Sequence, residues 1–152
     1  MIRVLFICWG NICRSPMAEF IMKNLIAERG LQEVITVASA ATSREEIGNP
    51  VYPPARKELA KHGISCDGHH ARQMTREDGA CYDYIVGMEQ LNISYMQRIL
   101  GREYWDRIHL LMDFTDHPED IDDPWYTGDF EGVYKQIEKG CLGLLEHLGY
   151  GA

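Results

Sequence analysis

The sequence predicts an α/β fold: a three-layer sandwich of one four-stranded parallel sheet with helices on both faces, in a single domain spanning residues 1–152. Three observations carry this. Short apolar runs rich in β-branched residues alternate with longer segments whose apolar residues recur every three or four positions. The first run, Ile2 to Cys8, is apolar almost throughout, the pattern of a strand covered on both faces. Finally, 152 residues that are 45% hydrophobic, with no internal repeat, low-complexity tract or linker, suit one core.

Ile2 to Cys8 reads as the first central strand. After the loop Trp9 to Ser15 a helix opens with Pro16 in its first turn, where the missing N–H costs nothing. Met17, Phe20, Ile21 and Leu25 form its apolar stripe, and Gly30 is its stop. Further strands are expected at Val34 to Ala38, Tyr82 to Met88 and Ile108 to Leu111, with helices at Ala55 to His62 and Gln90 to Leu100. Asp113 to Asp123 is acidic and irregular, as in a surface loop. Val133, Ile137, Cys141, Leu144 and Leu148 mark the core face of a last helix. Ligands of parallel α/β sheets bind beyond the C-terminal strand ends, at the end of the first strand among others.

A net charge of −8 disfavours nucleic acid as a partner, because phosphate backbones are held mainly by Lys and Arg patches. No membrane association is expected: the apolar runs fall short of the roughly 20 residues a span requires, and no signal region opens the chain. The five cysteines, Cys8, Cys13, Cys66, Cys81 and Cys141, are an odd number in a chain that needs no staples, so reduced thiols and a cytoplasmic setting are expected. No metal site is expected, since Cys8 and Cys13 are too far apart for a usual ligand pair and adjacent His69 and His70 cannot easily share an ion. No cofactor is expected either.

The chemistry concentrates in Cys8-Trp9-Gly10-Asn11-Ile12-Cys13-Arg14-Ser15, between a buried strand and a helix N-terminus. Unpaired amides and the positive end of the helix dipole converge there and favour an anion. Gly10 and Asn11 readily take left-handed conformations that curl successive N–H groups inward as a nest. A cysteine at such a mouth is expected to be a thiolate nucleophile, because helix N-termini and cations bring a thiol pKa from about 8.5 to roughly 3.5–7.5. Arg14 brings a planar fork suited to two phosphate oxygens, and the Ser15 hydroxyl can donate to the sulfur. A lone cysteine ending a strand is ordinarily structural; nucleophile, glycine, cation and hydroxyl together are not. The spacing and the lysine of a Walker loop are absent, as is GxGxxG.

CWGNICRSP resembles the Cys-x5-Arg-Ser signature of the low-molecular-weight protein tyrosine phosphatases. The likeness covers nearly the whole chain: Val37 to Ser43, Ile47-Gly48-Asn49-Pro50, His69 to Gln73, Asp83-Tyr84-Ile85 and Asp123-Pro124-Trp125-Tyr126 follow in the family's order. It implies a flavodoxin/Rossmann-like sandwich and hydrolysis of phosphotyrosine and small aryl phosphates through a phosphocysteine. By that match Cys8 is the nucleophile, and Arg14 with the amides of Trp9, Gly10, Asn11, Ile12, Cys13 and Ser15 holds the phosphate. Their charge makes metal dependence unexpected. Asp123, before the matching Pro124, would protonate the leaving phenol and then deprotonate water. Asn11, Ser39 and His69 would stiffen the loop, and Trp9, Trp125 and Tyr126 would wall a slot deep enough for a phenyl ring. Where many relatives carry a tryptophan after Ser43, this chain has Glu45, so one wall of the entrance is expected to be acidic. Cys13 is expected to protect an oxidised Cys8 by forming a disulfide, since the curled loop should bring the pair within reach and the resemblance points the same way. Phosphotyrosine proteins, and a tyrosine kinase acting on them, are the implied partners; the oligomeric state is left open.

Two rivals remain. An arsenate reductase would need resolving cysteines, which Ile85 to Gln90 lacks while Cys66 and Cys81 lie elsewhere. A non-catalytic phosphate-binding module on the same fold would need neither nucleophile nor acid.

Overall fold

Residues alternating along the first strand feed two separate cores. In β1, Ile2–Cys8, the side chains of Val4, Phe6 and Cys8 enter one apolar cluster and those of Leu5 and Ile7 enter the other, because successive side chains of a strand point to opposite faces. That is why the run has no polar alternation. In the computed structural model, which describes residues 1–151, β1 lies between β2 (Ile35–Ala41) and β3 (Tyr84–Gly87), with β4 (Ile108–Leu110) at the far edge. The four strands form one parallel sheet in the order β2-β1-β3-β4.

Helices α1 (Arg14–Glu28), α2 (Pro53–Lys61) and α6 (Phe130–His147) cover one face, joined through Met17, Ile21, Leu59, Ile137 and Leu144. On the other, α4 (Gln90–Leu100) brings Met96 and Leu100 onto Leu5, Ile7 and Ile85. The expected three layers are therefore present. Among the described residues no helix is long and apolar enough to cross a membrane.

The expected strands and long helices are found, with shifted ends. β2 runs on to Ala41, beyond the expected Ala38, because Ser39, Ala40 and Ala41 pair with Phe6, Ile7 and Cys8. Pairing to a central strand overrides the weak strand preference of small residues. Two short helices lack any sequence period: α3 (Asp78–Cys81) and α5 (Pro124–Thr127). A 3₁₀ turn at Arg102–Arg107 precedes β4, and another, Leu111–Phe114, takes up the start of the expected acidic loop. The second turn sits tightly on α6: a Cβ at Gly143 would fall 2.2 Å from the Phe114 carbonyl oxygen, so only glycine fits there.

Candidate active site

The parallel order sends the C-terminal ends of β1, β2 and β3 to one edge, and the loop from Trp9 to Cys13 rises from its middle. Asn11 holds φ at +60°, the left-handed turn that folds the loop back over β1. Its amide donates to Cys8 Sγ at 3.3 Å, the Ser15 amide donates to the same sulfur at 3.4 Å, and the Ser15 hydroxyl lies 2.9 Å from it. Asn11 Nδ2 donates to the Ser15 and Ser39 hydroxyls, both at 2.9 Å. With its lone pair thus engaged, the Ser15 hydroxyl can direct its proton to the sulfur. Two amides donate to Cys8, and the Ser15 hydroxyl, which also reaches the Ala40 carbonyl at 3.5 Å, lies beside it, an arrangement suited to a sulfur bearing negative charge.

Behind the loop the support is continuous. His69 Nε2 donates to the Asn11 carbonyl at 2.8 Å, the Arg72 amide donates to Asn11 Oδ1 at 3.2 Å, and the Ser39 hydroxyl donates to the buried carboxylate of Glu19 at 2.6 Å. Ser39 and His69 thus meet Asn11 as expected. Asn11 and Ser15, expected among the phosphate-binding residues, have buried side chains and reach the sulfur through their backbone amides. The residue before α1, Cys13, gives the helix no side-chain cap, and of its first-turn amides that of Ser15 is turned to the Cys8 sulfur, so the helix dipole faces the cleft.

The cleft, of about 180 Å³, is lined by Cys8, Trp9, Gly10, Ile12, Cys13, Arg14, Glu45, Glu46, Asp123, Trp125 and Tyr126. Every other expected site residue is therefore brought to one place. Trp125 and Tyr126 stand out into solvent, Tyr126 at 84% exposure, and Trp125 packs on Tyr52 with ring centres 4.5 Å apart.

Arg14 is only 2% exposed. It donates to the Ile121 carbonyl at 2.8 Å, pairs with Glu89 at 3.0 Å, and lies 3.5 Å from Asp123 Oδ2. Burial works against its charge, but Cys8, Glu89 and Asp123 outweigh it and hold the guanidinium above its ordinary range. Asp123 is fixed from its own side, since Oδ1 accepts the Trp125 amide at 3.0 Å as the cap of α5. Its other oxygen is left toward Arg14 and the cleft. Burial, with the nearby charges of Cys8 and Asp123, pushes the Cys13 thiol well above its ordinary range, so it is a neutral neighbour.

Glu89, Ile121, Glu46 and Glu19 were missed by sequence reasoning. Glu89 alone had a usable signal: it follows β3 at the C-terminal edge, where ligand-binding residues of such sheets gather.

The sequence signature described as low molecular weight phosphotyrosine protein phosphatase matches residues 3–151. The chain is 42% identical over 147 residues to the low molecular weight protein-tyrosine-phosphatase YfkJ of Bacillus subtilis, covering 95% of this chain and 94% of that one. It is 40% identical over 148 residues to the human low molecular weight phosphotyrosine protein phosphatase, covering 94% and 93%. The crystal structure of YfkJ superposes with a TM-score of 0.94 at 41% identity, over 98% of this chain and 95% of that one.

Proposed function

Because this chain belongs to the low molecular weight phosphotyrosine protein phosphatase family and is a protein-tyrosine-phosphatase working through a phosphocysteine, we propose that Cys8 is its nucleophile, Arg14 its phosphate clamp and Asp123 its acid and base. The observation that carries this assignment is the sharing of one cleft by a sulfur that accepts two backbone amides and touches the Ser15 hydroxyl, and an Arg14–Asp123 pair 3.5 Å apart.

The aryl phosphate enters between Trp9, Trp125 and Tyr126, and its non-bridging oxygens take the inward amides and the Arg14 fork. The Cys8 sulfur attacks phosphorus in line with the phenolic oxygen. As the phosphorus–oxygen bond breaks, Asp123 Oδ2 passes its proton to the departing phenolate. Asp123, now a carboxylate, takes a proton from water, which attacks the thiophosphate and releases inorganic phosphate, restoring the sulfur anion and the protonated acid. Developing charge on the equatorial oxygens is met by Arg14 and the amides, donors already in place. Asn11, Ser39 and His69 keep the loop in its charged-sulfur shape.

The substrates are phosphoproteins, and phosphotyrosine segments with a tyrosine kinase as the opposing enzyme are the finer reading. A cytoplasmic setting fits five unpaired thiols, one of which must stay reduced to act. Residues 1–152 form one phosphatase domain in this reading. Hydrolysis of p-nitrophenyl phosphate at mildly acid pH, run beside thioredoxin-coupled arsenate reduction, tests it. Hydrolysis with no arsenate turnover is expected. Arsenate reduction as the main activity, or phosphate binding with neither reaction, would overturn it.

A further inference from the structure

The residues from Thr115 to Asp123 belong to no helix or strand, yet they must hold Asp123 at a fixed distance from the sulfur. Their attachments are few. Ile121 is fully buried, donates its amide to the Met88 carbonyl at 3.0 Å and accepts Arg14 through its own carbonyl. Next to it, exposed Asp120 accepts the amide of Gln90 at 2.9 Å. Gln90 opens α4, whose own cap is Glu89, with Asn92 Oδ1 taking the amides of Met88 and Glu89. The Gln90 amide is left to an acceptor thirty residues away in sequence. A carboxylate there is favoured by the helix dipole as well.

The Asp120–Ile121 pair therefore ties the acid's loop to the segment Met88–Gln90, which also presents Glu89 to Arg14. We propose that Asp120 is a positioning residue for the general acid: by capping the Gln90 amide it sets the path of the loop, and through it the approach of Asp123 to the leaving oxygen. This rests on the assignment of Asp123. It requires nothing of Asp120 in phosphate binding, because Arg14 pairs directly with Glu89, and the Ile121 residue whose carbonyl it meets is also held at the Met88 carbonyl by its own amide.

The test is the dependence of kcat/KM on leaving-group pKa across a series of substituted phenyl phosphates, for Asp120→Ala, Asp120→Asn, Asp123→Ala and the Asp120→Ala/Asp123→Ala double variant. Asp120→Ala should lose about 3–10-fold on phenyl phosphate, a fraction of the roughly 10²–10⁴ that a positioned acid contributes, and about 2-fold or less where the leaving group needs little protonation. Vanadate affinity should be unchanged. Asp120→Asn, which keeps the acceptor, should recover most of the loss. In the Asp123→Ala background Asp120→Ala should add nothing to the slope. An Asp120→Ala variant that melts lower but has the wild-type slope would reduce Asp120 to a structural cap and overturn the proposal. An unaltered slope in Asp123→Ala itself would instead overturn the assignment of the acid.

Discussion

The indole N–H of Trp9 donates to a carboxylate oxygen of Glu45 at 3.1 Å, while the Trp9 ring meets Tyr95 edge-on with ring centres 5.4 Å apart. The residue that makes one wall of the entrance acidic therefore also orients the aromatic wall beside it.

We expect Glu45 to disfavour phosphopeptides with acidic flanks, by an amount that falls as salt is added. Exposed charge pairs are worth about 0.2–1 kcal/mol, so the discrimination should be roughly 1.5–5-fold in KM. Glu45→Gln, which removes the charge but keeps an acceptor for Trp9, should narrow it; Glu45→Trp should broaden or reverse the preference. An unchanged ranking of acidic and basic phosphopeptides in both variants would leave Glu45 as plain surface.

Cys8→Ser should stay folded and bind vanadate or phosphate, since Arg14 and the amides are untouched, but should not turn over, because a neutral hydroxyl without an adjacent base is a poor nucleophile. Substantial hydrolysis by the purified variant would remove Cys8 from the chemistry.

Asp123→Ala should slow phenyl phosphate hydrolysis by about 10²–10⁴ and, by removing the cap of α5, cost about 1 kcal/mol of stability. Asp123→Asn separates the two effects: its amide oxygen can still accept the Trp125 amide, so the melting temperature should stay near wild type while activity falls as far. A larger loss in Asp120→Ala or Asp122→Ala than in Asp123→Ala would reassign the acid.

Peroxide should inactivate the enzyme reversibly, with dithiothreitol restoring it, whereas Cys13→Ser should be active but lost for good, because a sulfenic acid on Cys8 then has no thiol to condense with. Oxidation of Cys8 removes one of the charges that keep the Cys13 thiol above its ordinary range, while burial, the larger cause, remains. Full recovery of Cys13→Ser, or peptide mapping that joins Cys8 to Cys66, Cys81 or Cys141, would refute the protective role.

What could be read in the sequence was what is local. Ile2 to Cys8, the left-handed Asn11 and Pro16 lie within a few residues of one another, and each acts through its own backbone or through burial that covers the whole run; Gly10, expected to be left-handed as well, keeps a negative φ, so Asn11 alone makes that turn. Gln90 to Leu100 was legible for the same reason, as one continuous helical segment. The short α5 was not, because one side chain, Asp123, holds it through the amide two residues on. Glu89 and Ile121 escaped because their meaning lies in Arg14, 75 and 107 residues earlier. A charged residue after a strand end hints at a ligand edge without naming its partner, and an apolar residue among carboxylates looks ordinary until the chain brings it to Arg14.

Acid should destabilise the fold through His109. This half-buried ring packs with Tyr84 and Phe114; burial and then His147 hold its pKa below the ordinary value, while Asp113 and Asp106 pull the other way. The unfolded chain therefore binds the proton more readily, so stability is fully present above the unfolded pKa of about 6.5 and declines as pH falls through the lower folded value. The melting temperature of wild type should drop between pH 7.5 and 5.5 by more than that of His109→Gln. Equal drops would place the titrating group elsewhere.

The hydrogen bond from Arg14 to the Ile121 carbonyl joins positions 107 apart, and this bears on how the enzyme is made. While the chain is being synthesised, its nucleophile loop emerges early, but the backbone oxygen that seats the arginine and the carboxylate two residues beyond it arrive only when most of the domain is out. A nascent chain that carries the whole Cys8–Ser15 signature but ends before Ile121 lacks that carbonyl and Asp123, and is therefore expected to be inactive. Activity in such a molecule reports completed folding, and stalled chains halted before Ile121 should bind no vanadate even where their first strand and helix have formed.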